Sequence, residues 1–264
     1  MRGITRDTVS EMLDRKAFLI SVVAASAATL GVLTNDLGTV HIDFGNIMAD
    51  ESAAFPNAMR TGMHFLAIYL DLLLALTVLF VAGVLPSFLE PKFGWFYFGR
   101  PMDRQKIIIE KLVSLVVVYT ALLLAAVLPA TLVGMIRYGI VDIRIAEIIA
   151  VQGCAAVIWI LIASSLGVLF RSSVKVVPLC LGLVAIQVII NSRETLARSL
   201  DSPAVAGVLK AISYAIPRTN DFSQAAHQLA DGQTLALWWP IGSSLLFALV
   251  LVYSALLAVK RRDL

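Results

Sequence analysis

Charged residues are scarce in this 264-residue chain: Asp, Glu, Lys and Arg make up 15% of it, while hydrophobic residues make up 59%. A soluble domain averages about 25% charged and about 45–50% apolar residues. With a mean hydropathy of +0.87, much of the chain needs a solvent other than water, and lipid is the obvious one. The same composition excludes a disordered chain, a collagen and a disulfide-rich scaffold.

Cysteine and the common catalytic motifs are also sparse or absent. Both cysteines, Cys154 and Cys180, lie in apolar runs, where cysteine behaves as a small hydrophobic residue. The chain lacks any Gly-Lys dipeptide, and hence a P-loop, and it lacks H-E-x-x-H, G-x-S-x-G and C-x-x-C motifs. Its three histidines, His41, His64 and His227, are far apart in sequence. We therefore expect no enzyme, no resident metal or cofactor and no ATP hydrolysis on this chain.

Six apolar runs dominate the sequence, and every Lys and Arg lies outside them. Each run is long enough, or nearly so, to cross the hydrocarbon core, which takes about 20 helical residues. The runs are residues 17–33, 61–85, 112–134, 147–170, 176–192 and 239–259. We predict an all-α polytopic protein of the cell membrane, a single domain with six transmembrane helices.

The basic residues between the runs predict the orientation. Of the 21 Lys and Arg, 14 fall on one side of the six runs. Those 14 occupy residues 1–16, 86–111, 171–175 and 260–264, and the other seven occupy 34–60, 135–146 and 193–238. Because loops retained in the cytoplasm carry the basic excess, both termini are predicted to be cytoplasmic.

Two segments outside the runs have helical character. Residues 1–16 interleave apolar and charged side chains near helical spacing, which predicts an amphipathic helix in the inner interface of the membrane; a generic charged flank is the alternative. Residues 193–238 carry apolar patches separated by Pro203 and Pro217. These patches predict short helices on the outer membrane surface.

Polar side chains inside the runs are candidates to line a path. Asp71 interrupts the second run, where a carboxylate costs roughly 2.5–3.5 kcal/mol on insertion scales unless a partner relieves it. It is either functional or hydrogen-bonded to a neighbouring helix to fix packing. Gln187 and Asn191 are four residues apart and share one helical face, so they line a polar seam or cross-link helices. Met63 and His64, with Met59 one turn away, could suit a soft metal, but methionine as interface filler is the favoured interpretation.

The loop at residues 86–111 contains an aromatic cluster. Trp95, Phe96 and Tyr97 stand between two glycines, bounded by prolines and followed by charged residues. Buried aromatic anchors within a polar rim are typical of a protein-docking element. A membrane-surface aromatic belt is the alternative, because Trp and Tyr favour that depth.

The chain resembles the permease subunit of a type-2 ABC transporter. Residues 9–18 are similar to the helix that leads into the first span in that family, and residues 260–264 resemble its usual ending. Glu90, followed by residues 100–104 and Lys111, resembles the inner-loop signature. The order of six spans with both ends inside agrees. The Gly-Thr usually found after the glutamate is missing, which leaves the subfamily and the cargo open.

The resemblance implies a dimer of six-span subunits that encloses one translocation path, with a second copy of this chain as the expected partner. The inner loop would be a coupling helix seated in a groove of a separate P-loop ATPase, which would hold ATP and Mg²⁺ while this chain binds no cofactor. The residues that the resemblance assigns to ATPase coupling are Glu90, Trp95, Phe96, Tyr97, Arg100 and Arg104. No nucleic-acid partner is expected; the other partner is membrane lipid.

Two other classes of function are compatible with the sequence. One is an ion-coupled carrier that works alone through Asp71. The other is a membrane scaffold that holds an outer-face protein through residues 34–60 and 193–238. The ATP-driven export permease is the leading hypothesis.

Overall fold

The described part of the chain consists of α-helices joined by turns. The computed structural model describes residues 51–88, 104–138, 143–191, 207, 216–233 and 238–261, and no strand occurs in these ranges. Its helices are α1 (Glu51–Phe88), α2 (Arg104–Tyr138), α3 (Ile143–Phe170), α4 (Ser173–Asn191), α5 (Thr219–Ala230) and α6 (Trp238–Arg261). The predicted all-α class is confirmed for these residues.

Five of the six apolar runs fall on these helices. The run 17–33, the amphipathic segment 1–16 and the last residue of the run 176–192 lie outside the described residues. By length and composition, two helical stretches could cross a membrane: Ile143–Phe170 and Trp239–Arg261. Shorter apolar stretches lie within α1 and α4.

The helices extend beyond the apolar runs at several ends. α1 begins at Glu51, well before residue 61, and α2 begins at Arg104, within the segment 86–111 that was predicted as a loop. The first turns of α2 are packed in the protein, because Ile107, Ile108 and Lys111 are each 1% exposed. A charged residue ends an apolar run, but the backbone hydrogen bonds of a helix continue through it. Helical residues therefore occupy both ends of the segment 86–111, and residues 89–103 lie outside the described residues.

Helix α3 lies at the centre of the bundle and contacts each of the other described helices. In its most apolar window 61% of the residues are buried, against 17% for α6. The buried side chains of its second half, from Ile158 to Val168, surround the helix, and a helix that is apolar all round is one that other helices enclose. Small residues there, such as Ala163, Ser164 and Gly167, let neighbouring helices approach closely.

Helix α5 differs from the surface helices predicted for residues 193–238, because it packs against protein. It lies against α1 and α3, with further contacts to α4 and α6. Its buried positions follow helical spacing along one face: Thr219, Phe222, Ala225, Ala226, Leu229 and Ala230. A helix of 12 residues is marginal on its own in water, so the contacts of this buried face stabilise α5.

A tight turn joins α3 to α4. Only Arg171 and Ser172 lie between the two helices, and the Arg171 amide donates to the Gly167 carbonyl at 2.9 Å. Arg171 has a φ of 49°, the left-handed conformation that commonly ends a helix and that favours glycine. The side chain is exposed, so the strain is confined to the backbone.

Arg171→Gly is expected to be more stable than Arg171→Ala by about 1 kcal/mol, because only glycine adopts the left-handed region without a Cβ penalty. Both variants remove the same charge, so their difference isolates the backbone. In thermal unfolding the glycine variant should melt a few degrees higher. Equal melting temperatures would contradict the strain assigned to this turn.

Candidate functional site

Asp71 joins three helices through hydrogen bonds. It lies on α1, where its Oδ1 accepts from Nε2 of Gln152 on α3 at 2.8 Å. Its Oδ2 accepts from Oγ of Ser223 on α5 at 2.7 Å. A carboxylate accepts such bonds more strongly than a neutral group does. The structure therefore gives Asp71 hydrogen-bond partners on two neighbouring helices.

Two histidines continue this polar group. Nε2 of His227, one turn after Ser223 on α5, lies 3.6 Å from Oδ2 of Asp71. Nε2 of His64 on α1 lies 2.9 Å from Oδ1 of Asp231, the residue that follows α5. The four titratable side chains are each about a third exposed, between 29% and 34%.

The two imidazole rings approach each other through their Nδ1 atoms. Nδ1 of His64 lies 3.4 Å from Nδ1 of His227, and the ring planes are 20° apart with their centroids separated by 5.6 Å. The complete group, called the Asp71 cluster below, contains Asp71, Gln152, Ser223, His227, His64 and Asp231. It draws its side chains from α1, α3 and the α5 region, so it exists only in the packed bundle.

Asp71 was a predicted site residue, but its hydrogen-bond partners were not predicted. His64 and Asp71 are seven residues apart, and Ser223 and His227 are four apart, so each pair shares a helical face. That spacing was the available signal. The two polar faces are separated by well over a hundred residues, and nothing in the sequence indicated that they meet.

Gln187 lies away from the Asp71 cluster, on α4, and contacts the start of α5. Its Oε1 accepts from the Thr219 hydroxyl at 2.8 Å and from the Asn220 amide at 3.0 Å, and the residue is 4% exposed. The first amides of a helix have no partner within the helix, so Gln187 supplies an acceptor from α4. Asn191, its predicted companion, ends α4, and its side chain lies outside the described residues.

The residues predicted to couple to an ATPase fall mostly outside the structure. Glu90, Trp95, Phe96, Tyr97 and Arg100 lie outside the described residues, and Arg104 is described only as the first backbone position of α2.

Of the soft-metal arrangement considered for Met59, Met63 and His64, the structure describes the side chains of Met63 and His64 only. Met63 is 3% exposed in the apolar core, while His64 engages Asp231 and His227. Within the described residues, no group of three or more His, Cys, Asp and Glu side chains is arranged to hold a metal ion. Cys154 and Cys180 are both free thiols.

Within the described residues, fold and cluster together define an all-helical arrangement with two helices long and apolar enough to cross a membrane and a polar group where α1, α3 and α5 meet. The chain belongs to the family described as "Protein of unknown function (DUF2705)", which matches residues 19–264. No curated protein matches the chain.

Proposed function

We propose that this chain is the membrane-spanning permease subunit of an ABC exporter, with both termini in the cytoplasm and a separate ATPase as its motor. The observation that carries the proposal is the ordered set of family-like segments along the chain: the leading helix, the inner-loop signature and the basic ending at residues 260–264. The arrangement of the described helices and the apolar surface of the bundle support the proposal.

The exposed faces of the outer helices suit lipid. Large apolar side chains are exposed along several helices, for example Leu72 at 51%, Val117 at 54%, Leu181 at 60% and Leu246 at 65%. Soluble monomers rarely expose extended apolar surface, whereas hydrocarbon covers it without cost. These four residues lie on α1, α2, α4 and α6, which supports four further membrane-facing helices around α3.

The two ends of the bundle differ in charge. Nε2 of Gln105, near the start of α2, donates to the Leu256 carbonyl, near the end of α6, at 3.2 Å, so these two termini share one end. The charged residues described at that end are mainly basic: Lys106, Glu110, Lys111, Arg171, Lys175, Lys260 and Arg261. The end that carries the Asp71 cluster is mixed, with Arg144, Glu147, Arg218, Asp221 and Asp231. The basic excess supports a cytoplasmic location for the first end.

A chain that lacks a P-loop has to receive ATP-derived work from a partner. The segment between α1 and α2 contains the aromatic cluster and connects directly to two long helices. Rigid-body movement of a docked partner would therefore pass into the bundle. A second copy of the chain would complete the translocation path.

The proposal is tested by purification in mild detergent together with the ATPase encoded nearby. Trp95→Ala and Phe96→Ala should each reduce co-purification of the ATPase and ATP-dependent transport at least tenfold. Trp239→Ala is the matched control, because Trp239 is an exposed aromatic residue at the start of α6, at the opposite end of the bundle, and should leave both unchanged. If no P-loop ATPase co-purifies with the unaltered chain, the proposal fails.

The orientation has its own test, with both native cysteines replaced by alanine. A membrane-impermeant thiol reagent added to intact cells should label Gln233→Cys, in the exposed turn after α5, and should not label Gly94→Cys. Permeabilised cells should show labelling at both positions. The reverse pattern in intact cells would overturn the orientation.

The Asp71 cluster favours a second candidate, an ion-coupled carrier that works alone. Asp71 and two histidines lie together at 3.6 and 3.4 Å, and ionisable side chains within membrane proteins commonly mark ion pathways. On this hypothesis the purified chain transports in vesicles without an ATPase, and Asp71→Asn abolishes that transport. Strictly ATP-dependent transport would exclude this candidate.

A further inference from the structure

The two carboxylates and two imidazoles of the Asp71 cluster form a row of three contacts. In order, Asp231 meets His64, His64 meets His227, and His227 meets Asp71. Asp71 and His64 belong to α1, whereas His227 and Asp231 belong to α5 and the residue after it. Every contact in the row therefore crosses between α1 and the α5 segment.

The middle contact has the alignment of a hydrogen bond. A ring nitrogen lies about 1.2 Å from the centre of an imidazole, so two nitrogens 3.4 Å apart on the line joining the ring centres would place those centres about 5.8 Å apart. The observed separation is 5.6 Å. Because the lone pair of Nδ1 points away from the ring centre, the two Nδ1 lone-pair axes of His64 and His227 point nearly at each other.

Counting hydrogens shows what this row lacks. Two neutral imidazoles carry two N–H hydrogens, but the row contains three contacts, each between two acceptor atoms. With Nε2 of His64 donating to Asp231, one hydrogen remains for the other two contacts. Either the two Nδ1 atoms face each other with bare lone pairs, or Nε2 of His227 faces the Asp71 carboxylate with a bare lone pair. Two hydrogens complete the two contacts of hydrogen-bond length, and an additional proton, with Nε2 of His227 protonated, turns its 3.6 Å contact with Asp71 into an ion pair.

A second additional proton would not fit. It would place a hydrogen on both Nδ1 atoms, and two N–H groups would then point at each other across 3.4 Å. The geometry thus accommodates one imidazolium for the pair, shared between His64 and His227, and it disfavours two charged rings.

The surrounding charges agree with one added positive charge. Asp71 and Asp231 contribute two carboxylates to the row. From α3, Gln152 donates an amide hydrogen to Asp71, and the Arg144 guanidinium lies beside the turn after α5, with Nη1 3.1 Å from where a Cβ on Gly232 would stand.

Among the described residues, α4 and α6, the remaining helices packed against α5, present no further charge to the row. α4 presents the neutral Gln187, and α6 presents Ser244, whose Oγ accepts from the Arg218 amide at 2.8 Å. Arg218 is paired with Asp221 at the opposite end of α5, at 3.8 Å. Glu147 on α3 is exposed, one turn from Arg144.

A metal ion fits this geometry less well than a proton. A tetrahedral metal requires the two Nδ1 lone pairs to converge at about 110°, whereas here they lie close to one line. A proton between two nitrogens requires the linear arrangement.

We propose that Asp231, His64, His227 and Asp71 form a site that binds one proton, shared between the two imidazoles, and that its binding closes α5 onto α1. The proton is taken from the aqueous phase, to which the side chains are partly exposed, and it returns there when α5 loosens. The site does not rest on the proposed permease function, because it is derived from the contacts of this chain alone.

Proton uptake by the purified full chain in nanodiscs tests the stoichiometry, in a His41→Gln background with a chelator present. Between about pH 8 and about pH 5.5, free histidines each take up about one proton. After subtraction of the uptake by the double variant, which contains that of the other ionisable groups, a shared site predicts about one proton for the unaltered pair, about one for His64→Gln and about one for His227→Gln. Two independent histidines would give two, one and one, and that result would overturn the proposal.

Two further measurements need no substitution within the row. ¹⁵N spectra of the histidine-labelled His41→Gln chain, recorded at a pH where proton uptake is complete, should show a single imidazolium shared by the two rings. Amide hydrogen exchange of residues 219–230 should slow at least tenfold as the proton binds. Two separate imidazolium signals, or exchange that is independent of pH after correction for intrinsic rates, would contradict it. Stoichiometric Zn²⁺ that abolishes the uptake at micromolar concentration would make the cluster a metal site and overturn the proton assignment.

Discussion

Replacing Phe222 by alanine is expected to release α5 from the bundle at a cost of about 3–5 kcal/mol. The side chain is fully buried on the face of α5 that packs in the core, and truncation of a buried phenylalanine leaves a cavity as well as losing contacts. Because α5 has only 12 residues, it cannot remain helical without that face. Hydrogen exchange should show lost protection at residues 219–230, with the central part of α3 still protected.

Gln224→Ala is the matched control for this prediction. Gln224 lies two residues further along the same helix and is exposed, so its truncation should change stability by no more than about 0.5 kcal/mol. If Phe222→Ala and Gln224→Ala gave the same exchange pattern, the packing assigned to α5 would be wrong.

Asp71→Leu is expected to have the second largest effect, a loss of about 2–4 kcal/mol. Two hydrogen bonds to a carboxylate disappear, each worth roughly 1.5–3 kcal/mol before allowance for the partial exposure of Asp71. Gln152, which is 1% exposed, loses the partner of its Nε2, and its Oε1 already has none among the described residues. A buried amide with neither atom bonded is costly. Thermal unfolding in nanodiscs should show a fall of several degrees.

Asp71→Asn should fall between the unaltered chain and Asp71→Leu, with a loss of about 1–2 kcal/mol. Its carbonyl can accept from one of the two donors, but its amide group then faces the other donor. Glu147→Gln removes an exposed carboxylate from α3 and should leave stability unchanged. If Asp71→Leu were as stable as Glu147→Gln, the hydrogen bonds of Asp71 would have no net effect on the fold.

Much of the helical architecture could be predicted, because an apolar run long enough to cross hydrocarbon is a local property of the sequence. Five runs fall on described helices, and α3, the helix at the centre of the bundle, contains the run 147–170. The ends of the helices were less predictable. Lys111 ended an apolar run, yet it is 1% exposed within α2, because a helix continues through a charged residue when neighbouring helices bury it.

The candidate site was predictable only in part. Asp71 was conspicuous because a carboxylate inside an apolar run is costly. His64, near the start of the same run, was considered only as a soft-metal ligand, and His227 lies outside the six runs. Their significance comes from a contact of 3.4 Å between Nδ1 atoms 163 residues apart. Gln187 was predicted on a polar seam, and the structure places it as the acceptor for the first turn of α5.

The sequence by itself determined that the chain is helical, that long stretches of it are apolar and that its basic residues are unevenly distributed between those stretches. These properties follow from composition and periodicity, which need no knowledge of distant contacts. Only the tertiary structure decided that α5 packs against α1 and α3, and that four titratable side chains meet there in one row. The reason is physical. A hydrogen bond requires its two heavy atoms to lie within a few tenths of an ångström of the favoured distance, and the packing of whole helices sets that distance.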